Sequence, residues 1–346
     1  MESPIKGTVF LTGSTGFIGS RAVHHICGQG WRVRALVRDI SKAKSAFKKS
    51  QAEILSQLEF VQGDLFAGTP AERMKLFRDC ISGTSVVFHL AEAKSKVKNF
   101  DAKNIKTFGL LLEAAAESQT LQRFVFVSAF MAGGLPQPLP NCLTEEMTGD
   151  QFPDPYYSWK RSAERLLIKA SNNSQFTYSI IRPALVYGPR GEWLVPMLAS
   201  IRRLGRYYLP LPNGGGAPLG TVNVEDVART IAMAGWSKGA ENQIVHAVDD
   251  GGTTYRDWMS TIASSAGWKV RIGNVPASVV KGLASGADAV LSLFGLQYGA
   301  YLWAQVLSRG CGYSNEKMKQ IIGKLEYPTI REGIPVMMDW FKEHHP

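Results

Sequence analysis

A tyrosine and a lysine spaced four residues apart are the clearest candidates for chemistry in this sequence. Tyr156 and Lys160 stand in the segment YYSWK, and residues at this spacing project from one face of a helix. A free phenol, with a pKa of about 10, is a poor acid or base at neutral pH, but a neighbouring ammonium group stabilises the phenolate. We therefore predict that Tyr156 exchanges a proton with a substrate oxygen and that Lys160 lowers the pKa of its phenol. Tyr157 and Arg161 share the spacing, but arginine is less suited to relaying a proton.

A glycine-rich loop near the start of the chain is the candidate for cofactor binding. Residues 12–19 read TGSTGFIG and lie between a predicted strand and a predicted helix. Glycines permit a tight turn and a close approach of a pyrophosphate, and the helix N-terminus supplies free N–H groups and a positive dipole end. The strand before and the helix after make the motif specific for a dinucleotide. The expected cofactor-binding residues of this loop are Gly13, Thr15, Gly16, Phe17, Ile18 and Gly19.

The end of the second predicted strand bears on the choice of cofactor. An acidic residue there binds the ribose 2′-hydroxyl of NAD, whereas an arginine accommodates the 2′-phosphate of NADP. We take Val37 as the usual acidic position and Arg38 as the phosphate partner, with Lys42 or Lys44 assisting. This interpretation favours NADP (NADPH) over NAD. The alternative is that Asp39 binds the ribose and that the cofactor is NAD.

The elements that must position these residues alternate along the chain. Apolar runs predict buried parallel strands at residues 8–12, 31–37, 58–62, 85–90, 124–128, 177–182 and 243–248. Helical patterns lie between them at residues 20–29, 71–80, 104–118 and 156–171. The alternation predicts an α/β fold, a doubly wound parallel-sheet Rossmann domain with a smaller, mainly helical C-terminal substrate lobe. We assign residues 1–189 plus 221–249 to the NADP-binding Rossmann domain and residues 190–220 plus 250–346 to the substrate-binding lobe.

Composition narrows the class of protein and of partner. The net charge is +10, and basic residues gather at residues 42–49 and 94–106. Such clusters attract an anionic partner or are solvated helix faces, and no nucleic-acid motif accompanies them. The four cysteines lie far apart without metal-ligand spacing, so we expect no metal site. The sequence opens without the pattern of a secretory signal, which predicts a cytoplasmic protein.

The stretch 275–309 is unusually apolar, although Lys281, Asp288 and several glycines interrupt it. It falls short of the roughly 20 apolar residues that a membrane-spanning helix needs. One interpretation is a lipophilic substrate pocket or a contact with a membrane surface, and the other is an ordinary buried helix pair.

Several short motifs stand in the order of a known superfamily. They are TGSTGFIG, Asp64-Leu65, His89-Leu90-Ala91, Asn104, Ser128, Tyr156 with Lys160 and Glu164, IRPALVYGP at 181–189 and VEDVA at 224–228. Together they resemble the extended short-chain dehydrogenase/reductase superfamily over nearly the whole chain. The resemblance implies that Asp64 and Leu65 flank the adenine, that Ala91 lies near the nicotinamide, and that Lys160 contacts the cofactor ribose. It also implies that Pro183 and Val186 belong to the segment beneath the nicotinamide.

The sequence departs from this superfamily at one catalytic position. The family usually has two small hydroxyl residues after the strand, and the second polarises the substrate oxygen. This chain reads Val127-Ser128-Ala129, which aligns the second hydroxyl with Ala129. Ser128 is therefore our third catalytic candidate, beside Tyr156 and Lys160. The alternatives are that Ser128 only ties down the strand end or that another donor serves.

The segment RPALVYG at 182–188 and the C-terminal YSNEK and IREGI motifs are similar to the branch of 3β-hydroxysteroid dehydrogenases and dihydroflavonol reductases. This similarity implies a lipophilic ketone or secondary alcohol as substrate: a sterol, terpenoid, flavonoid or polyketide. The alternatives are a nucleotide-sugar epimerase that retains NAD and a non-catalytic NADP-binding sensor or scaffold. The family further suggests a homodimer, and peripheral membrane contact is a further alternative for the apolar stretch.

Overall fold

The computed structural model describes residues 6–48, 50, 52–93, 99–150, 154–204, 208–293 and 300–345. Lys49, Lys94, Lys96 and Lys98 of the predicted basic clusters lie outside these residues. The strands are β1 (Thr8–Thr12), β2 (Arg32–Val37), β3 (Leu58–Gln62), β4 (Val86–His89), β5 (Arg123–Val127), β6 (Cys142–Leu143), β7 (Thr177–Pro183), β8 (Leu185–Tyr187), β9 (Leu209–Pro212), β10 (Thr221–Asn223), β11 (Gln243–Ala247), β12 (Ile272–Val275) and β13 (Gly312–Tyr313). The helices are α1 (Gly19–Gly28), α2 (Ile40–Ala46), α3 (Ala52–Ser56), α4 (Pro70–Ile81), α5 (Phe100–Ala116), α6 (Pro155–Asn172), α7 (Val195–Leu204), α8 (Val224–Ala234), α9 (Tyr255–Ala266), α10 (Ala277–Leu293), α11 (Ala300–Arg309), α12 (Glu316–Ile322) and α13 (Ile330–His344).

Seven strands form one parallel sheet in the order β11–β7–β5–β4–β1–β2–β3. The central strands β4 and β5 are buried along their whole length, because helices cover both faces of the sheet. The predicted Rossmann fold and its strands are therefore confirmed, with strand ends moved by one residue at most. Helix α5 begins at Phe100 rather than at the predicted Asn104.

Two apolar cores hold the helices against the sheet. On one face, α1 and α8 pack against the strands through residues such as Val23 and Ile231. On the other face, α4, α5 and α6 contribute Phe77, Leu111 and Leu167. Each helix buries an apolar stripe against the sheet, as an amphipathic sequence requires.

The C-terminal part of the chain contributes to both the sheet and a separate core. Helices α7, α9 and α13 pack together through Leu198, Trp258 and Ile334. Helix α12 instead packs against α8 and β11, and its Met318 and Ile321 join the core of the sheet. The division into a Rossmann domain and a substrate lobe, with the boundaries given above, stays a prediction.

Helices α10 and α11 occupy most of the apolar stretch, and they differ in environment. Helix α11 packs through Leu302 and Val306 on a cluster that includes Ala129 and Tyr157. Helix α10 packs mainly on α11, and its Leu283 is 73% exposed. The interpretation of this stretch as an ordinary buried helix pair is therefore wrong for α10. Among the described residues, no helix combines the length and the apolar character needed to cross a bilayer.

The loop after β1 is folded tightly on itself and on the end of β4. Gly13 has a φ of +82°, and a side-chain Cβ at this position would lie 3.0 Å from the backbone nitrogen of Ala91. At Gly19 a Cβ would lie 2.0 Å from the carbonyl oxygen of Gly13. Both glycines are therefore required by backbone packing, and the loop has room for no other residue at these two points.

We expect Gly19→Ala to lower the free energy of unfolding by about 3 kcal/mol or more, because the added methyl group overlaps backbone atoms that cannot move aside. Gly28→Ala is the matched control in the same helix, since a Cβ at that position would have open space within 4 Å. Alanine there should change the stability by less than about 1 kcal/mol, toward higher stability. Urea unfolding followed by circular dichroism measures both values, and equal effects would contradict the packing argument.

Candidate active site

Thr12 links the cofactor loop to the end of β4 by hydrogen bonds. Its Oγ1 accepts the backbone N–H groups of Leu90 and Ala91, each at 3.3 Å, and lies 2.9 Å from Nδ1 of His89. His89 is buried, and burial and then the charge of Lys160 lower its pKa to about 3. The imidazole is therefore neutral at physiological pH, and the ends of β1 and β4 are held together by uncharged hydrogen bonds.

The N-terminus of α1 has features that suit an anion. No side chain caps this helix, which begins at Gly19 after Ile18 and has no acidic residue in its first turn. Helices α4, α9 and α13 instead carry complete capping boxes. The hydroxyl oxygens of Ser14 and Ser20 are also buried without a hydrogen-bond partner in the described part of the chain. An uncapped helix start beside glycines fits the pyrophosphate of a dinucleotide.

The two charged residues after β2 have different surroundings. Arg38 is exposed. Asp39 is the N-cap of α2, where its Oδ1 accepts the backbone N–H of Lys42 at 3.0 Å. That backbone hydrogen bond holds the pKa of Asp39 below its usual value. The carboxylate of Asp39 is thus engaged by its own helix, whereas the guanidinium of Arg38 faces solvent.

Residues expected near the adenine follow β3. Asp64 accepts the backbone N–H of Phe66 at 2.8 Å, which closes a short turn. Leu65 is buried in the core beside α4 and α5. Thr15 lies elsewhere, in the loop after β1, and is exposed.

Helix α6 positions Tyr156 and Lys160 at its start. Asp154 caps the helix by accepting the backbone N–H of Tyr156 at 2.7 Å. Lys160 is 4% exposed, and its Nζ donates to the carbonyl oxygen of Val127 at 2.8 Å. The ammonium lies 5.6 Å from the centre of the Tyr156 ring. The helix therefore presents the phenol and the ammonium on one face, beside the end of β5.

The protein environment raises the pKa of the Tyr156 phenol. Burial raises its pKa well above the ordinary value, and the negative charges of Glu92 and Asp154 raise it further. In the chain alone, Lys160 forms an ion pair with Glu92 at 2.9 Å. The phenol is thus fully protonated at neutral pH. The lowering of this pKa by Lys160 together with the positive nicotinamide of the oxidised cofactor stays a prediction.

Ser128 directs its hydroxyl group away from the usual role of a substrate donor. Its Oγ donates to Oε1 of Glu164 at 2.5 Å. Glu164 in turn accepts two hydrogen bonds from Arg182, at 2.9 and 2.7 Å. All three side chains are buried, and the carboxylate and the guanidinium compensate each other. Ala129, the next residue, carries no hydroxyl group.

One cavity of about 550 Å³ brings most of these residues together. Of the residues predicted from the sequence, it is lined by Gly13, Gly16, Phe17, Ile18, Gly19, Ser128, Tyr156, Lys160, Pro183 and Val186. The other predicted residues, which do not line it, are Thr15, Arg38, Asp64, Leu65 and Ala91. The remaining wall is mostly apolar or aromatic and comprises Leu90, Val127, Ala129, Phe130, Tyr157, Ala184, Leu185 and Trp193, besides Glu92.

Glu92 is the functional candidate that the sequence analysis missed. It follows Ala91 in the loop after β4, and it contacts Lys160 inside the cavity. The signal that could have found it was its position, since residues just beyond the carboxyl ends of parallel strands face the ligand crevice of such folds.

Known proteins resemble the chain in sequence and in fold. The model of the NAD dependent epimerase/dehydratase family matches residues 9–245. A 4-hydroxy-2-methyl-3-oxo-4-farnesyl-3,4-dihydroquinoline-1-oxide ketoreductase of Stigmatella aurantiaca is 24% identical over 95% of both chains. A dihydroflavonol 4-reductase of Hordeum vulgare is 27% identical over 53% of this chain and 54% of its own. The structure of the UDP-glucuronic acid 4-epimerase from Bacillus cereus in complex with NAD superposes with a TM-score of 0.71, at 17% identity, over 98% of this chain and 100% of that one.

The family match covers more than half of the chain and includes the glycine loop, Tyr156 and Lys160. Its members bind a nicotinamide dinucleotide, in agreement with the uncapped helix start and the crowded glycines. The chain belongs to the NAD dependent epimerase/dehydratase family, the extended short-chain dehydrogenases/reductases, and is an NAD(P)-dependent enzyme acting on CH–OH or C=O groups.

Proposed function

We propose that the enzyme reduces a ketone on a lipophilic small molecule to a secondary alcohol with NADPH. The observation that carries the proposal is the cavity, in which the protonated Tyr156 meets an apolar wall that includes Phe130, Leu185 and Trp193. A phenol that keeps its proton suits the donation that ketone reduction requires. The ketoreductase relative, whose named substrate carries a farnesyl chain, supports a lipophilic substrate.

The cofactor preference is argued from the residues after β2. NADPH supplies a hydride when it is bound, and the chain supplies its binding groups. The carboxylate of Asp39 is occupied by the cap of α2, so a ribose 2′-hydroxyl would have to compete for it. Arg38 is exposed and offers a cation to a 2′-phosphate. We infer that NADP is preferred over NAD.

The protein residues act on the substrate oxygen. Tyr156 donates its phenolic proton as negative charge develops on that oxygen. Lys160, fixed by the carbonyl oxygen of Val127, holds a positive charge beside the phenolate that results. The apolar wall excludes water and strengthens both electrostatic effects.

Tyr156→Phe should lower kcat by at least about 100-fold, because it removes the proton donor, and should leave the Kd for NADPH within about 3-fold. Consumption of NADPH with a panel of lipophilic ketones measures the first value, and nicotinamide fluorescence measures the second. Tyr157→Phe is the comparison in the neighbouring residue and should change kcat by less than about 10-fold. Full activity of Tyr156→Phe, or a larger loss in Tyr157→Phe, would move the chemistry to another donor.

Arg38→Gln should weaken NADPH binding by about 10- to 100-fold, the usual value of a charge-assisted hydrogen bond, without changing the Kd for NADH. Arg32→Gln is the control, because Arg32 is an exposed arginine at the start of β2, the strand that Arg38 follows. Titration by nicotinamide fluorescence gives the Kd for NADPH and for NADH of the wild-type enzyme and of both variants. Equal affinity of the wild-type enzyme for the two cofactors would remove the basis for an NADP preference.

Ser128→Ala tests whether this hydroxyl group polarises the substrate. Because its proton is directed to Glu164, we expect the variant to lose about 1–2 kcal/mol of stability and to keep kcat within about 3-fold. A fall in kcat of about 100- to 1000-fold would instead assign to Ser128 the role of an oxyanion donor. Ala129→Ser is the companion variant, since Ala129 lines the cavity, and a rise in kcat would show that the missing donor belongs at that position.

A nucleotide-sugar epimerase would behave differently in the same experiments. It would be purified with bound NAD and would interconvert its substrate without net consumption of an external reductant. Mass spectrometry of the nucleotide released on denaturation, combined with the NADPH assay, therefore separates the two activities.

A further inference from the structure

Glu92 is held in the active site by its neighbours in the chain. The next residue, Ala93, is clamped by Asn104 of α5, whose Oδ1 accepts the Ala93 N–H at 2.7 Å and whose Nδ2 donates to the Ala93 carbonyl oxygen at 3.3 Å. The preceding residue, Ala91, donates its N–H to Thr12. Because the backbone is fixed on both sides, the carboxylate of Glu92 is directed into the cavity and not left on a free loop.

The contact between Glu92 and Lys160 joins a partly exposed anion to a buried cation. Oε2 of Glu92 lies 2.9 Å from Nζ of Lys160, and the side chains are 33% and 5% exposed. The aromatic ring of Trp159 packs 4.2 Å from the same ammonium. Glu92 is thus the counter-charge of Lys160, and both residues line the cavity.

The other ionisable groups around this contact are few in the part of the chain that the structure describes. Tyr156, Tyr157 and Lys160 belong to α6, Asp154 precedes that helix, and His89 ends β4. Burial raises the pKa of Tyr157, so its phenol stays neutral. His89 remains neutral across any practical assay range, since burial lowers its pKa to about 3. Asp154 is fixed as the cap of α6. The charge state of the site therefore depends on Glu92, Lys160 and Tyr156.

We propose that Glu92 is a positioning residue that keeps the proton on Tyr156 and biases the site toward ketone reduction. Its negative charge offsets that of the ammonium, so loss of a proton from the phenol would leave an excess of negative charge in a buried site. The inference rests on the proposed function, because it takes Tyr156 as the proton donor. It further specifies the favoured direction of the reaction: the enzyme reduces its substrate up to alkaline pH and oxidises the alcohol poorly.

The charge balance of the reduction follows from these roles. The carbonyl carbon would accept a hydride, which bound NADPH would supply, and the carbonyl oxygen would take the proton of Tyr156 as the O–H bond of the phenol breaks. The phenolate then regains a proton from solvent through the open side of the cavity. An anion beside the phenolate raises its affinity for that proton, which restores the donor for the next turnover.

Glu92→Gln removes the charge and keeps the size of the side chain. In the cofactor-free protein, we expect the pH at which Tyr156 ionises to fall by at least one unit. Absorbance at 295 nm as a function of pH measures this, with Tyr156→Phe and the double variant subtracted to isolate the one phenol. In turnover assays, the pH of the alkaline limb of kcat/KM for reduction should fall by a similar amount. The ratio of kcat for oxidation to kcat for reduction at pH 8 should rise by about tenfold.

Two further variants separate the effect of this charge from general effects. Glu92→Asp keeps the charge and should leave both midpoints within about 0.5 unit. Glu113→Gln removes an exposed carboxylate from α5 and should change neither midpoint, although it alters the net charge equally.

Unchanged midpoints in folded Glu92→Gln, or a loss confined to the Kd for NADPH, would overturn the inference. If Glu92→Gln fails to fold, Glu92→Ala removes the same charge, and an unchanged midpoint in that variant contradicts the inference. A shift of the midpoint in the cofactor-free protein, together with full activity of Tyr156→Phe, would support the charge effect and reject the proposed function.

Discussion

Close packing of backbone at the carboxyl edge of the sheet is the constraint on which the rest of the site depends. Gly19 lies against the carbonyl of Gly13, and Gly13 lies against the backbone after β4. Thr12 adds hydrogen bonds across the same junction. With β1 between β2 and β4, this packing brings the start of α1 and the segment from Ala91 to Ala93 to the crevice where such folds bind ligands.

Buried charges determine how α6 lies across the strand ends. Lys160 donates to the last carbonyl of β5, and Glu164, one turn later, pairs with Arg182 of β7. A buried ion that loses its partner is strongly destabilising, so the helix is held at two neighbouring strands at once. Tyr156 is one turn before Lys160 and is therefore directed into the cavity. The network that orients the phenol also takes the hydroxyl group of Ser128.

The electrostatic character of the site differs from a simple tyrosine–lysine pair. An isolated ammonium beside a phenol favours the phenolate, whereas burial and a nearby carboxylate favour the phenol. Here the second influence dominates. The apolar side of the cavity, toward Phe130 and Trp193, is suited to a substrate that leaves water readily. Proton donation and an apolar wall are both properties that a ketone reductase would use.

Much of this organisation follows from the sequence by itself. The period of the apolar residues predicts the strands and helices, and the glycine spacing predicts the loop, because both depend on contacts within a few residues. The spacing of Tyr156 and Lys160 is likewise local, since one helix carries both residues.

The tertiary structure alone decided which distant groups meet. Glu92, in the loop after β4, contacts Lys160 of α6. The hydroxyl group of Ser128 is directed toward Glu164 of the same helix. Val279, Leu283 and Val290 of α10 are exposed, although the composition of this segment also suits a buried helix. These outcomes depend on the order of strands in the sheet and on the pairing of buried charges, and neither is encoded in the period or spacing of nearby residues.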